Sequence, residues 1–266
     1  MPTAEVNGIK LNYHITGNGE PLILVAGWDT DLRAWAFQLL AFRKYFRVIA
    51  FDNRGIGKSD KPGGPYSMRL MADDVIGIMD CLHIKAAHVL GLSMGGMIAQ
   101  EVAINYPNRV LKLVLGCTFA CQNGSSGPTD EYAKGSGFNA VRTRIRLAWL
   151  ANNRPVGRFF IVQLVRLISR NGVAGFESQG AAILNHDTSD RLHLIEARTI
   201  VITGTKDRVI RPSSSELIVS RISKASLVKI ENGSHSISTE NRKEFNKEVL
   251  SFLRGQSLYP ERITGR

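Results

Sequence analysis

Cysteine is scarce in this chain: Cys81, Cys117 and Cys121 are the only three among 266 residues. Three thiols cannot complete an even disulfide framework, and their spacing is not that of a metal cluster. Small buried side chains at 117 and 121, in a reducing cytoplasmic setting, are therefore expected rather than a bridge. Long apolar runs are missing too. None reaches the roughly 18 residues that a bilayer span requires. Met1-Pro2-Thr3-Ala4-Glu5 has no basic stretch followed by an apolar one, so neither a signal peptide nor a membrane span is expected. Histidines and carboxylates nowhere share the spacing of metal ligands, and no metal or other cofactor is expected. Acidic residues are outnumbered, with 34 Lys and Arg against 23 Asp and Glu, a net charge of +11. The basic side chains are scattered, with a loose concentration only between Arg142 and Arg170. Without interleaved aromatics or a nucleic-acid-binding signature, this predicts a solvated basic surface and no nucleic-acid partner.

What is present is ordinary globular material, 44% hydrophobic, enough for one large α/β domain carrying an insertion. Asn7-Gly8 between two short apolar runs predicts a hairpin. A further turn at Gly17-Asn18-Gly19 leads into Pro21–Ala26, an apolar run suited to a central parallel strand. Phe46–Phe51, Ala86–Leu92, Val110–Gly116, Thr199–Thr203 and Ala225–Ile230 read as further strands. Helical patterns fall between them at Arg33–Phe42, Ser67–Leu82 and Met97–Tyr106, with a last helix over Glu240–Leu253 and a polar tail from Gln256. The alternation predicts a mostly parallel central sheet with helices on both faces. After Cys117 the rhythm breaks. A Gly- and Ser-rich polar stretch (119–138) gives way to helical patterns up to Leu184, and β-rich sequence returns only near Thr199. The predicted organisation is a core of residues 1–118 and 196–266, interrupted by a helical insertion over 119–195.

Gly91-Leu92-Ser93-Met94-Gly95-Gly96 lies between the Ala86–Leu92 strand and a helical stretch. A serine on a sharp strand-to-helix turn has its hydroxyl pushed clear of the sheet. Gly91 and Gly95 flank it because a Cβ at either position would strike neighbouring backbone. In this context the chain resembles the α/β-hydrolase superfamily. Phe51-Asp52-Asn53-Arg54-Gly55-Ile56-Gly57-Lys58-Ser59 is similar to that family's D-x-R-G-x-G-x-S segment. Gly204-Thr205-Lys206-Asp207-Arg208-Val209-Ile210 resembles its acid loop, and Glu231-Asn232-Gly233-Ser234-His235 its histidine turn. The order Ser, Asp, His is the family's order. The resemblance implies an α/β-hydrolase fold and a helical cap or lid over 119–195. Phe159, Phe160, Ile161, Leu164, Val165 and Ile168 in that lid either form its own core or face down as an acyl pocket.

The resemblance also implies residue roles. Ser93 is the nucleophile, and His235 is its base. Asp207 fixes the histidine tautomer and stabilises the imidazolium. Backbone N–H groups of Met94 and Trp28 form the oxyanion hole. Relatives carry His-Gly where this chain has Ala26-Gly27, so the usual brace of that loop is absent. Structural roles are expected elsewhere: Asp52 and Arg54 pin a loop, Asp29 and Asp31 shape a turn or helix start. His14, His83, His88, His186 and His193 are expected to be structural as well.

Serine at the nucleophile position, instead of the aspartate of dehalogenases and epoxide hydrolases of this fold, points to acyl chemistry. The expected activity is hydrolysis of a small-molecule carboxylic ester, thioester or lactone through an acyl-enzyme. The same triad would also serve a carbon–carbon bond hydrolase, a cofactor-free perhydrolase or an acyl transferase. A ligand receptor, a non-catalytic relative of the fold, is the alternative of another class.

Overall fold

The computed structural model describes residues 1–121 and 173–255. Strands β1 (Thr3–Val6) and β2 (Ile9–Thr16) form the predicted hairpin, with Val6 paired to Ile9. Both turn residues are left-handed, Asn7 at φ 51° and Gly8 at φ 76°. Two such residues make the tight turn whose twist matches that of antiparallel strands. The remaining strands are β3 (Glu20–Val25), β4 (Phe46–Phe51), β5 (Ala87–Leu92), β6 (Val110–Gly116), β7 (Arg198–Gly204) and β8 (Ala225–Ile230). Together they form one sheet in the order β1-β2-β4-β3-β5-β6-β7-β8. Pairing is antiparallel from β1 to β2 and β2 to β4, and parallel across the other neighbours.

Helices cover both faces. These are α1 (Ala36–Phe42), α2 (Met68–Cys81), α3 (Met94–Asn105), α4 (Val173–Leu184), α5 (Pro212–Arg221), α6 (Ile237–Glu240) and α7 (Arg242–Leu253). The alternation along β3 shows why the sheet needs both layers. Ile23 and Val25 join the core shared with α2, α3 and α5, whereas Leu22 and Leu24 join the core shared with α1 and α7. A strand buried on both faces reads as a continuous apolar run, which is how β3 stood out in the sequence.

Two helices differ from expectation. The predicted Arg33–Phe42 helix begins as a 3₁₀ turn over Leu32–Trp35, because the Asp31 carboxylate accepts the Arg33 N–H at 2.9 Å and tightens the first turn. The predicted Glu240–Leu253 helix is broken at Asn241, which leaves helical geometry at φ −111° and ψ 32°. There Glu240 is drawn back to Ser234, whose hydroxyl donates to it at 2.5 Å.

Between β6 and β7, α4 is helical as expected. A backbone bridge from Cys121 to Asp187 brings the two ends of this long connection together. The rest of that segment's predictions lie outside the described residues: the polar stretch from 122, the helical patterns before 173, the basic concentration at Arg142–Arg170 and the apolar patch Phe159, Phe160, Ile161, Leu164, Val165 and Ile168. The tail from Gln256 lies outside them as well. Among the described residues, no helix is long and apolar enough to cross a membrane.

Candidate active site

Ser93 sits at the junction of β5 and α3 with φ 56° and ψ −121°. A non-glycine residue rarely adopts this conformation, and such strain concentrates where a side chain must be aimed. The glycines make the turn feasible: a Cβ on Gly91 would strike the Gly95 carbonyl, and one on Gly95 would strike the Val25 carbonyl. The Ser93 N–H donates to the Gly116 carbonyl at 2.8 Å, and the Thr118 hydroxyl donates to the Ser93 carbonyl at 2.9 Å. The Ser93 backbone is thus tied from both sides.

Asp207 and His235 arrive on the loops after β7 and β8. These loops are laced together: the Lys206 N–H donates to the Gly233 carbonyl at 2.8 Å, and the Asn232 N–H donates to Thr205 Oγ1 at 2.9 Å. Asp207 Oδ1 accepts the Val209 and Ile210 N–H groups at 2.8 and 2.9 Å. Its other oxygen, Oδ2, lies 2.8 Å from His235 Nδ1, and His235 Nε2 lies 3.0 Å from Ser93 Oγ. An ionised carboxylate only accepts, so Nδ1 carries the proton and Nε2 is left to accept from the serine hydroxyl. The Asp207 side chain is fully buried and that of His235 is 13% exposed, so the imidazole remains within reach of an arriving molecule.

Cys117 was missed as a neighbour of this relay. Its sulfur, an Asp207 oxygen and a His235 nitrogen lie within 4.8 Å of one another. Burial, with the Asp207 charge beside it, pushes the Cys117 thiol well above its ordinary range. It is therefore a protonated, small apolar neighbour. All three cysteines are free, Cys117 buried, Cys121 partly buried and Cys81 exposed.

The two expected oxyanion donors border the same serine. Met94 is the first residue of α3, and the first N–H groups of a helix have no partner within it. On the other side, a Cβ on Gly27 would lie 3.4 Å from Ser93 Cβ, so the loop residue before Trp28 passes close to the Ser93 side chain. At the start of this loop, Asn53 Nδ2 donates to the Ala26 carbonyl at 3.0 Å. The Trp28 ring stacks on Phe176 of α4 with centroids 4.4 Å apart, and its Nε1–H donates to the Phe176 carbonyl at 2.9 Å. The Asp29 N–H donates to Gln179 Oε1 at 3.2 Å.

Asp52, Arg54 and Asp31 pin loops and a helix start, as expected. Asp52 Oδ1 accepts the Leu32 N–H at 2.8 Å, and Oδ2 accepts Asn12 Nδ2 and the Lys58 N–H at 2.8 and 2.9 Å. Arg54 grips Asp74 through two bonds of 2.6 and 2.7 Å. Asp31 caps the 3₁₀ turn, and Asp29 occupies a left-handed turn position at φ 57°. His14 and His88 lie in β2 and β5, His83 follows α2, and His186 and His193 precede β7.

A serine hydroxyl aimed by a strained turn, with an imidazole and a buried carboxylate in line, is equipped to transfer a proton as a bond forms at oxygen. Comparisons with known proteins identify the family. The family model for the alpha/beta hydrolase fold matches residues 20–160. A Caulobacter segnis protein named provisionally as the carbamate hydrolase RutD is 30% identical, covering 96% of this chain and 100% of its own. The crystal structure of the enol-lactonase from Burkholderia xenovorans LB400 superimposes with a TM-score of 0.82 at 30% identity, over 95% of this chain and 100% of that one. That of a hydrolase from Pseudomonas aeruginosa PA01 gives 0.83 at 30% identity, over 95% and 97%. Fold, sequence and neighbours agree: the chain belongs to the α/β-hydrolase family and is a hydrolytic enzyme.

Proposed function

We propose that the protein hydrolyses a small carboxylic ester or lactone through an acyl-enzyme, with Ser93, His235 and Asp207 as the catalytic triad. One observation carries this reading: the unbroken run of 2.8 and 3.0 Å from Asp207 through His235 to Ser93 Oγ. As Oγ attacks the carbonyl carbon, its proton passes to His235 Nε2, and the carbonyl oxygen takes up negative charge between the Trp28 and Met94 N–H groups. Collapse breaks the acyl–oxygen bond, and His235 returns the proton to the departing alcohol. Water then repeats the sequence on the acyl-serine and releases the acid. For a lactone, alcohol and acid leave as one molecule.

The names of two relatives support this class. An enol-lactonase and a carbamate hydrolase both act at a carbonyl carrying a heteroatom leaving group, the geometry for which this site is equipped. The connection between β6 and β7 is read as a cap over 119–195, with α4 as its descending end.

The test is a panel of neutral esters and lactones with wild type and Ser93→Ala, alongside a fluorophosphonate probe. Wild type should gain the adduct mass on Ser93, and Ser93→Ala should lose about 10⁴-fold or more in kcat. Equal turnover by the two proteins, or no adduct on wild type, ends the proposal and favours a ligand-binding relative.

A further inference from the structure

We infer that Gln179, on α4, is a positioning residue for the oxyanion hole, taking over the bracing that Ala26 cannot provide; the inference rests on the acyl-transfer reading above. Gln179 is fully buried, and its amide is used at both ends. Oε1 accepts the Asp29 N–H at 3.2 Å, while Nε2 donates to the Arg54 carbonyl at 2.9 Å. The partners dictate the orientation of the amide: a backbone N–H must face the oxygen and a backbone carbonyl the nitrogen. One side chain thereby joins the loop after β3 to the loop after β4, at the residue that follows the proposed donor Trp28.

The grip matters because of where Asp29 sits. At φ 57° it holds a conformation that side-chain-bearing residues seldom adopt, and such a turn persists only where its surroundings over-determine it. The Asp29 amide bond to Gln179 is one such determinant. The Trp28 ring, stacked on Phe176 and bonded to its carbonyl, is a second from the same helix. Between them they hold Trp28 and Asp29, the two residues that follow Gly27, where an added Cβ would lie 3.4 Å from Ser93 Cβ. The close approach of α4 is built in, since a Cβ on Gly175 would strike the Gly55 carbonyl. An oxyanion donor misplaced by about 1 Å loses roughly 100-fold in rate, so a brace of this kind acts on the transition state and not on substrate binding.

The experiment compares wild type, Gln179→Met and Gln179→Glu. Met fills the same volume and makes neither bond. Glu keeps an acceptor for Asp29 but sets a carboxylate against the Arg54 carbonyl. Active sites are titrated first with a fluorophosphonate, so that rates are expressed per labelled Ser93 and loss of folded protein does not count. Gln179→Met should lose about 10- to 100-fold in kcat with KM within about twofold. Its affinity for a trifluoromethyl ketone, a mimic of the tetrahedral adduct, should fall by the same factor as kcat/KM. Gln179→Glu should fall between Met and wild type, and reads the same comparison if the Met variant does not fold. Per-site kcat and ketone affinity within twofold of wild type in the folded variants overturn the inference, whatever happens to the melting temperature. Failure of wild type to be labelled at Ser93 is a different result: it removes the acyl-transfer reading, and this inference with it.

Discussion

His186 illustrates how a single residue carries a measurable cost without touching the site. It is only 4% exposed, against Phe119 and near Glu101, Asp187 and Arg191. Burial lowers its imidazole to about 4 from the ordinary 6.5, despite the upward pull of Glu101 and Asp187. Between those two values the unfolded chain binds a proton that the native state does not. Stability is therefore full above pH 6.5 and lost as pH falls toward 4, by up to about 3 kcal/mol from this group. Urea denaturation at pH 7 and 4.5 should show a steeper loss in wild type than in His186→Gln. The sequence assigned His186 a structural role from its setting alone, and the same kind of local reading picked out Ser93, Asp207 and His235. Each of those three ends or follows a strand, so its neighbours in sequence announce the turn that aims it. Phe176 and Gln179 were invisible for the opposite reason. Their partners Trp28 and Asp29 lie 148 and 150 residues away, and a lone Gln in a helical pattern has no periodicity to mark it.

Among elements, the loop after β4 and helix α2 are joined by a buried pair. Arg54 and Asp74 are about as dry as core side chains, with side-chain exposures of 6% and 2%. Asp74 also accepts Asn7 Nδ2 at 3.0 Å, tying in the hairpin turn between β1 and β2. Removing one partner leaves the other charge buried and uncompensated. Asp74→Ala should therefore destabilise by about 3–5 kcal/mol, whereas Arg54→Met with Asp74→Leu should cost clearly less. Chemical denaturation of the two variants decides it. Strands β3 to β7 were readable to within a residue or two because parallel strands buried on both faces are continuous apolar runs. Helix ends were less so. The start of α3 falls at Met94, three residues before the predicted Met97, because the turn at Ser93 enters the helix without a capping side chain for sequence to reveal. The break at Asn241 depends on Glu240 reaching back to Ser234, a contact no helical pattern encodes.

For the whole molecule, the net charge of +11 is the property with the longest reach. Lys206, Arg208 and Arg211 stand exposed on the loop that carries Asp207, so part of that charge shares a loop with the proposed acid. At 0.1 M salt such fields are screened beyond about 10 Å. An ester bearing a carboxylate should accordingly show kcat/KM falling steeply from low to moderate salt, while a neutral ester of the same size stays level. Initial rates across a sodium chloride series check this. The sheet itself was legible from alternating strand and helix patterns, and the long connection between β6 and β7 from their interruption. What that connection touches was not, since a helix docks by shape and not by period. Its docking sets a rule for chimeras. The proposed nucleophile, base and acid follow strand ends of one shared sheet, so a graft that swaps the proposed cap, 119–195, would leave them aligned. The proposed oxyanion loop instead leans on Phe176 and Gln179. A foreign segment without counterparts to these two would deliver a reactive serine beside a slack anion pocket.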